Sequence, residues 1–275
     1  MSTMHRVTKS KPCGICGKFD WCVYGLDVAI CMRVPSHRPK QFTDGTVGYL
    51  HSRSGGPLPV PLPKKKEEVF VDSAKLVDTW RQQYGLSSLG YLAQTLGVDV
   101  KSLELLDCVK APQHLVWGFP MRDGKGFIIG IRMRHQNGRK WCEPGGHNGL
   151  FIPNKYNDGE ITICEGPTDT AAALSLGLNA IGRFNCCGGI GMIQQHIITA
   201  RIKRATIVAD VDNDRVVNGS TINPGIQGAI QLAEVLGIPT RCVTLPTKDI
   251  RNFILSGGTR LHFDSIANQQ VWNKP

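Results

Sequence analysis

The feature that most constrains this chain is an apolar segment that ends in an acidic residue and leads directly into a helix start. Residues 161–164 predict a short buried strand, and Glu165 follows at its carboxyl end. Gly166 permits a tight turn, and Pro167 suits the first turn of a helix. A carboxylate in this position lies where open α/β sheets bind their ligands.

A second segment repeats this design. Residues 205–209 predict another buried strand, and Asp210, Asp212 and Asp214 follow it. If the two strands are neighbours, Glu165 and these aspartates converge. Crowded carboxylates repel one another, and Mg²⁺ relieves the repulsion while leaving positions for phosphates. For one such motif alone, a helix cap or a loop is the commoner explanation, but the pair in this order favours a phosphoryl-transfer site.

These residues resemble a known family. The run from Glu165 to Asp169, followed by Asp210-Val211-Asp212, is similar to the Toprim domain of DnaG-type primases, type IA and II topoisomerases and some nucleases. Lys248 and the residue after it resemble a segment of the primase branch. The resemblance implies catalytic acids that bind Mg²⁺, with Mn²⁺ as a substitute, and further supporting acids. The catalytic set is Glu165, Asp210 and Asp212, and the supporting set is Asp169, Asp214 and Asp249.

A basic region precedes the acidic one. Residues 73–106 show helical spacing of apolar residues, whereas residues 115–122 and 127–134 predict antiparallel strands joined by a turn. Basic residues are common on the solvated face of an antiparallel sheet. The order of elements nevertheless resembles the basic subdomain that precedes Toprim in DnaG-type primases. The resemblance implies that Arg132 and Lys140 contact nucleotide phosphates or the template. Arg134, on the same face as Arg132, and Lys248, near the carboxyl edge of the predicted sheet, are further candidates for binding phosphate or nucleic acid.

Four cysteines near the start have the spacing of a metal site. Cys13 and Cys16 form a Cys-x-x-Cys pair, and Cys22 and Cys31 can complete a tetrahedral Cys₄ zinc site, with His37 as a substitute ligand. A redox role for the pair needs a βαβ setting that is absent here. A module this small needs the metal for much of its folding energy. The run is similar to zinc segments attached to Toprim proteins, which implies contacts with DNA from Trp21, Arg33, His37 and Arg38.

Charge and composition suggest where the protein works. The formal net charge is +10, and the excess of basic residues lies in the N-terminal half of the chain. This distribution suits a protein that binds a polyanion. The polar start and the lack of a long apolar run predict a cytoplasmic protein, either bacterial or encoded by a phage or plasmid, with no membrane partner. In that compartment the ten cysteines are reduced.

The sequence therefore predicts an α/β protein with a Rossmann-like, mainly parallel catalytic sheet, a mixed α+β basic subdomain and a zinc-ribbon-like β module. Residues 1–10 are expected to form a flexible arm, and the glycine-rich run 186–191 either cradles phosphate or only forms a turn. The predicted segments are a zinc module at 1–50, a Pro-rich linker at 51–72, the basic subdomain at 73–155, Toprim at 156–257 and a tail at 258–275.

The expected activity is that of a DNA primase that makes RNA primers on single-stranded DNA from ribonucleoside triphosphates. The chain has no Gly-x-x-x-x-Gly-Lys-Ser/Thr phosphate loop, so unwinding would belong to a separate helicase. A monomer is expected. A Toprim nuclease and a non-catalytic DNA-binding replication accessory protein remain alternatives, whereas no setting for the nucleophilic tyrosine of a topoisomerase is evident.

Overall fold

A computed structural model describes residues 4–42, 46–53, 71–155, 157, 159–217 and 220–273. The chain divides into two compact units, Met1–Glu67 and Glu68–Pro275. Most of the predicted Pro-rich linker lies outside the described residues. Among the described helices, none is both long and apolar enough to cross a membrane.

The first unit contains a five-stranded antiparallel sheet in the order β1-β2-β3-β5-β4. The predicted hairpin is present, since Val23 pairs with Ile30. The predicted flexible arm is wrong for residues 4–10, because β1 pairs with β2 and Val7 packs among the buried cysteines. The strands are β1 (His5–Arg6), β2 (Val23–Tyr24), β3 (Val28–Cys31), β4 (Pro39–Gln41) and β5 (Val47–Ser52).

Three helices open the second unit. Asp72 caps the first by accepting a hydrogen bond from the Lys75 N–H at 3.0 Å. The predicted apolar stripe is buried, since Leu89, Leu92 and Leu96 are almost fully covered. The helices are α1 (Ser73–Tyr84), α2 (Leu89–Leu96) and α3 (Val100–Leu105).

A four-stranded antiparallel sheet follows, with its strands in chain order. Phe119 on one strand lies opposite Arg132 on the next, and Trp117 lies opposite Arg134. The two aromatic side chains are buried, whereas the two arginines are half-buried. The strands are β6 (Val109–Lys110), β7 (Val116–Arg122), β8 (Ile128–His135) and β9 (Lys140–Cys142).

The rest of the unit is built on a parallel sheet in the order β11-β10-β12-β15, as the α/β fold class predicted. Ile163 and Ile207 belong to one core cluster, and Cys164 and Val208 to another, so the central strands are buried on both faces. The elements are β10 (Glu160–Glu165), α4 (Pro167–Ser175), β11 (Ala180–Arg183), α5 (Ile190–Thr199), β12 (Arg204–Ala209), β13 (Arg215–Val217), β14 (Ser220–Ile222), α6 (Pro224–Val235), β15 (Thr240–Thr244), α7 (Ile250–Leu255) and α8 (Arg260–Ala267).

A hairpin and a helix of the second unit were not predicted from the sequence. The small hairpin of β13 and β14 follows the second acidic run. Within the predicted tail, residues 260–267 form helix α8, which buries Phe263 and Ala267 against the parallel sheet's core. Thr259 caps it by accepting a hydrogen bond from the His262 N–H at 3.3 Å.

Candidate functional site

The two acid-bearing strands are direct neighbours. β10 and β12 are parallel and hydrogen-bonded, with Ile163 opposite Ile207. Glu165 ends β10 and Asp210 follows β12, so both lie at the same carboxyl edge of the sheet. Parallel neighbours are separated by about 4.8 Å, which brings the two side chains within reach of one another. β11 pairs with the other side of β10, so this edge is also where the strand order reverses.

The carboxylates at this edge affect one another's ionisation. Burial, followed by the negative charges of Asp169, Glu165, Asp249 and Asp212, raises the pKa of Asp210 to about 8. Burial also raises the pKa of Glu165, although the Arg183 guanidinium opposes this. The structure therefore groups five of the six predicted acids in one electrostatic cluster, which we call the acidic cluster: Glu165, Asp169, Asp210, Asp212 and Asp249.

Asp169 is the most deeply buried member. It lies in the first turn of α4, and burial followed by the charge of Asp249 raises its pKa to about 7. Lys140 and Arg251 act in the opposite direction. Within the described part of the chain, Asp169 Oδ1 is buried without a hydrogen-bond partner. An unpaired buried carboxylate oxygen is costly, and a nearby cation would stabilise it.

The loop after β12 is tied to α6 by Asn223. The Asn223 side chain accepts from the Asp212 N–H at 3.2 Å and caps α6 at the Ile226 N–H. Its Nδ2 donates to the Asp212 carbonyl and, at 3.1 Å, to Asp214 Oδ1. Asp212 is half-buried, whereas Asp214 is exposed at the start of the β13–β14 hairpin. Of the predicted acids, Asp214 is the one that the structure does not bring into the acidic cluster.

The lysine–aspartate segment has a structural role as well. Asp249 caps α7, because its Oδ1 accepts from the Asn252 N–H at 2.7 Å. The Lys248 carbonyl accepts from the Val211 N–H at 2.7 Å, which joins this segment to the loop after Asp210. The Lys248 side chain is exposed.

Two of the predicted phosphate ligands face the acidic cluster. Arg134 and Lys140 are cross-strand partners on β8 and β9. Desolvation and then the Arg134 charge lower the pKa of Lys140, while Asp169 raises it. Desolvation and then Arg251 lower the pKa of Arg134, and again Asp169 raises it. Arg132 donates to Asn148 Oδ1 at 3.3 Å.

Two cations at the site were missed by the sequence analysis. Arg183 is opposite Glu165 in the sheet and only 2% exposed, and it donates to the Gly228 carbonyl at 3.2 Å. Arg251 lies in the first turn of α7, where its backbone N–H bonds to Asp169. A basic residue at a strand end gives no sign that its charge is buried, so pattern alone could not find Arg183. Arg251 could have been suspected, since it follows Asp249 by two positions.

The glycine-rich run lies between Glu165 and α6. The Cys186 N–H hydrogen-bonds to Glu165 and lowers its pKa. Gly189 adopts a left-handed conformation, with φ of +83°, and precedes α5. A Cβ at Gly228 would collide with the Cys186 carbonyl, so the glycine allows α6 to approach this loop.

The four cysteines of the first unit converge. Their sulfur atoms all lie within 4.8 Å of one another, and among the described residues no other group of three or more His, Cys, Asp or Glu is this compact. Cys16 Sγ is 3.7 Å from Cys22 Sγ, which is 4.0 Å from Cys31 Sγ. Sulfurs on one tetrahedral Zn²⁺ lie about 3.8 Å apart, given Zn–S bonds of about 2.3 Å. The group therefore fits a structural zinc ion, and it is complete without His37.

Backbone groups around these sulfurs favour the thiolate form that a metal requires. The Met32 N–H donates to Cys22 Sγ at 3.4 Å and the Val34 N–H to Cys31 Sγ at 3.2 Å. Burial raises the pKa of Cys22 to about 12. A bound dication would reverse that shift.

The predicted DNA contacts of the first unit differ in exposure. Trp21 is 62% exposed, although it has another interaction within the protein. Arg33 is already paired with Asp20 at 2.7 Å. His37 is exposed at the start of the β4 region, and Arg38 is half-buried beside it. Trp21 thus offers an exposed aromatic ring for stacking.

Comparisons with known proteins agree with this arrangement at the level of the fold. No family model and no curated protein matches the chain. A DnaG catalytic core matches with a TM-score of 0.53 and 15% identity over 72% of this chain and 79% of that one. A DnaG primase catalytic domain bound to single-stranded DNA gives 0.54 and 15% over 72% and 77%. The Aquifex aeolicus primase, with zinc-binding and RNA polymerase domains, gives 0.53 and 17% over 77% and 63%.

At identities this low, the similarity shows a shared backbone fold, and the chemistry has to be argued from the residues of the site. The similarity agrees with the features from which the resemblance was inferred: the order of elements, the acids at one edge of a parallel sheet, and the cysteine-rich first unit. The chain has the fold of the DnaG-type primase catalytic core.

Proposed function

We propose that the protein is a DNA primase that joins ribonucleotides on a single-stranded DNA template. The observation that supports this most strongly is the position of Glu165 and Asp210 on adjacent parallel strands at the reversal of strand order. Joining nucleotides requires a 3′-hydroxyl to attack an α-phosphorus while pyrophosphate leaves. The enzyme's task is to position these groups and to offset their charge.

Mg²⁺ would be held by Glu165, Asp210 and Asp212. The donors suit this ion, since Mg²⁺ prefers carboxylate oxygens and uses one or two of them with water and phosphate as its other ligands. When bound, the ion supplies positive charge to the phosphate oxygens.

The protein's own groups would complete the site. Arg134 and Lys140 face Asp169 and are suited to hold the triphosphate, because both are cations within the field of the acidic cluster. The half-buried Arg132 and the exposed Lys248 suit the template backbone or the primer phosphates. Asp169 and Asp249 would support the ligands, and Asp249 also fixes the start of α7.

The proposed partners follow from the same chemistry. One structural neighbour is a primase domain bound to single-stranded DNA, and the positive charge of this chain suits that ligand. A zinc ion in the first unit would shape a surface with the exposed Trp21, on which a base can stack. Duplex unwinding would be supplied by a separate helicase.

The test is a primer-synthesis assay on random single-stranded templates with labelled ribonucleoside triphosphates and Mg²⁺ or Mn²⁺. Asp210→Ala should abolish synthesis and spare template binding. Asp214→Ala is the matched control, because Asp214 is exposed and outside the acidic cluster, and it should retain most of the activity. Equal synthesis by the wild type and Asp210→Ala would refute the proposed site.

The same acids could instead cut a phosphodiester, as in a Toprim nuclease. The cations that face the acidic cluster favour triphosphate binding, so synthesis is the preferred assignment. Incubation with labelled single-stranded and duplex DNA separates growth from cleavage. Metal-dependent DNA binding with neither product would indicate a replication accessory protein.

A further inference from the structure

Two adjacent cysteines lie beside the acidic cluster and have no part in the proposed reaction. Cys186 Sγ and Cys187 Sγ are 3.6 Å apart, in the loop between β11 and α5. Cys187 is exposed and Cys186 is half-buried, so the pair is open to solvent on one side. Neither sulfur belongs to the four-cysteine group of the first unit.

The spacing of these sulfurs suits a shared ligand better than a bond between them. Two thiolates on one tetrahedral d¹⁰ cation lie about 3.8 Å apart, close to the observed distance. A disulfide needs an S–S distance of about 2.05 Å and Cα atoms at least about 4.4 Å apart, whereas neighbouring residues are about 3.8 Å apart. The pair can therefore chelate without moving the backbone, but it cannot close a relaxed disulfide.

The same loop supports a residue of the acidic cluster. The Cys186 N–H hydrogen-bonds to Glu165. The Cys186 carbonyl lies against Gly228 of α6, and the Cys187 N–H is held by Asn185 Oδ1 at 3.0 Å. A ligand on both sulfurs would restrain this loop from its exposed side and place bulk next to Glu165.

We infer that Cys186 and Cys187 form a two-thiol site for a thiophilic centre, either trivalent arsenic or a d¹⁰ cation such as Cd²⁺, whose occupation inhibits the protein through Glu165. The inhibition rests on the proposed primase function, whereas the binding does not. With an organoarsenic oxide, two As–S bonds form, the arsenic–oxygen bond breaks, and the oxygen leaves with both thiol protons as water. Arsenic stays trivalent, so no oxidant is needed.

The binding test uses the full, zinc-loaded chain with phenylarsine oxide in excess monothiol, followed by intact mass measurement and peptide mapping. A single phenylarsine adduct on Cys186 and Cys187 is expected, and an added dithiol should remove it. Cys187→Ser should weaken the adduct about a hundred-fold, because the second arsenic–sulfur bond no longer forms within one molecule. Cys142→Ser, which changes another half-buried thiol, should leave it unchanged. An adduct that persists in Cys187→Ser would overturn the inference.

A second arm replaces the arsenical by Cd²⁺ and follows the sulfur-to-cadmium absorbance. In wild type and Cys142→Ser, the absorbance should exceed the contribution of Cd²⁺ bound to the four cysteines of the first unit. In Cys187→Ser, it should not exceed that contribution. Inhibition is then measured as primer synthesis with and without phenylarsine oxide, and Cys187→Ser should resist the reagent. An adduct at the pair without inhibition would overturn the link to Glu165. If the untreated protein makes no primers, the primase proposal fails, and the mass measurement still decides the thiol site.

Discussion

Gly225, in the first turn of α6, lies against the backbone carbonyl of Asp210 so closely that an added Cβ would collide with the carbonyl oxygen. Asp210 follows β12 without a regular element of its own, so this contact and the Asn223 hydrogen bonds fix the path of the chain after the acid. The helix start thus acts as a support for the acidic cluster.

Gly225→Ala should displace Asp210 and reduce primer synthesis several-fold or more, with a loss of about 1–3 kcal/mol in the free energy of unfolding from overpacking. Gly90→Ala is the control, because Gly90 lies in α2 with nothing near its would-be Cβ. It should be neutral or stabilise by up to about 1 kcal/mol. Unchanged synthesis and thermal midpoint in Gly225→Ala would contradict the support role.

The acidic cluster makes stability depend on pH. Asp210 and Asp169 have pKa values of about 8 and about 7 in the folded protein, above the ordinary value of 3.8. A raised carboxyl pKa contributes stability below the unfolded pKa, near pH 4, and that contribution is lost as pH rises towards 8. Without divalent cations, the free energy of unfolding should therefore carry a term that falls between pH 5 and 8.

Asp210→Asn isolates this term, because it removes the titrating group and keeps the shape. Thermal melts should show a flatter pH profile for this variant than for the wild type. Mg²⁺ should raise the wild-type midpoint by about 5 °C at pH 8 and less at pH 6, where protons compete with the ion. Identical profiles for the two proteins would show that Asp210 titrates normally.

The cysteine group should bind one zinc ion per chain, measured by metal analysis. Cys22→Ser should lose it, whereas Cys242→Ser, outside the group, should keep it. Structural zinc contributes on the order of 10 kcal/mol to small modules, so the first unit should unfold when the metal is removed. Helical circular dichroism should barely change, because the described helices all lie in the second unit. A large helical loss on chelation would contradict this.

An ion-pair network should stabilise the second unit. Asp107 contacts Arg122, accepts from Arg81 at 3.0 Å, and its side chain is 17% exposed. Asp107→Asn keeps the shape and tolerates the left-handed backbone at this position, where φ is 53°. It leaves the largely buried Arg122 guanidinium without its counter-charge and Arg81 with Asp78 alone, so denaturant melts should show a loss of about 2–3 kcal/mol.

Asp78→Asn is the matched control for that network. It breaks the ion pair between Arg81 and Asp78, whose carboxylate is 64% exposed. Exposed pairs contribute less than about 1 kcal/mol, so this variant should melt almost like the wild type. Equal losses for the two variants would show that burial of Asp107 does not matter.

Local patterns in the sequence were sufficient for the acid-bearing strands and the cysteine group. A parallel strand is covered on both faces, so residues 161–164 are all apolar or β-prone, and Glu165 marks where the strand reaches solvent. The four cysteines of the first unit converge as their spacing predicted.

Features that depend on distant partners were not predictable. The hairpin of β13 and β14 is an exception, because Asn218-Gly219 between two short β-prone runs is a local hairpin signal that the sequence analysis overlooked. Helix α8 lies in the segment predicted as a tail, and its apolar residues are explained only by the packing of Phe263 against the core of the parallel sheet. The role of Arg183 depends on being opposite Glu165, which the order of residues along the chain does not contain.

The carboxyl ends of the strands in the parallel sheet lead to the acidic cluster, and the amino ends of the strands lie at the opposite edge of the sheet. The turn between α5 and β12 is at the amino edge, where the exposed Arg201 precedes a strand whose other end leads to Asp210. A fluorophore or surface tether attached at Arg201 would be separated from the acids by the length of a strand. Single-molecule recordings of nucleotide incorporation could then be made without the label entering the chemistry.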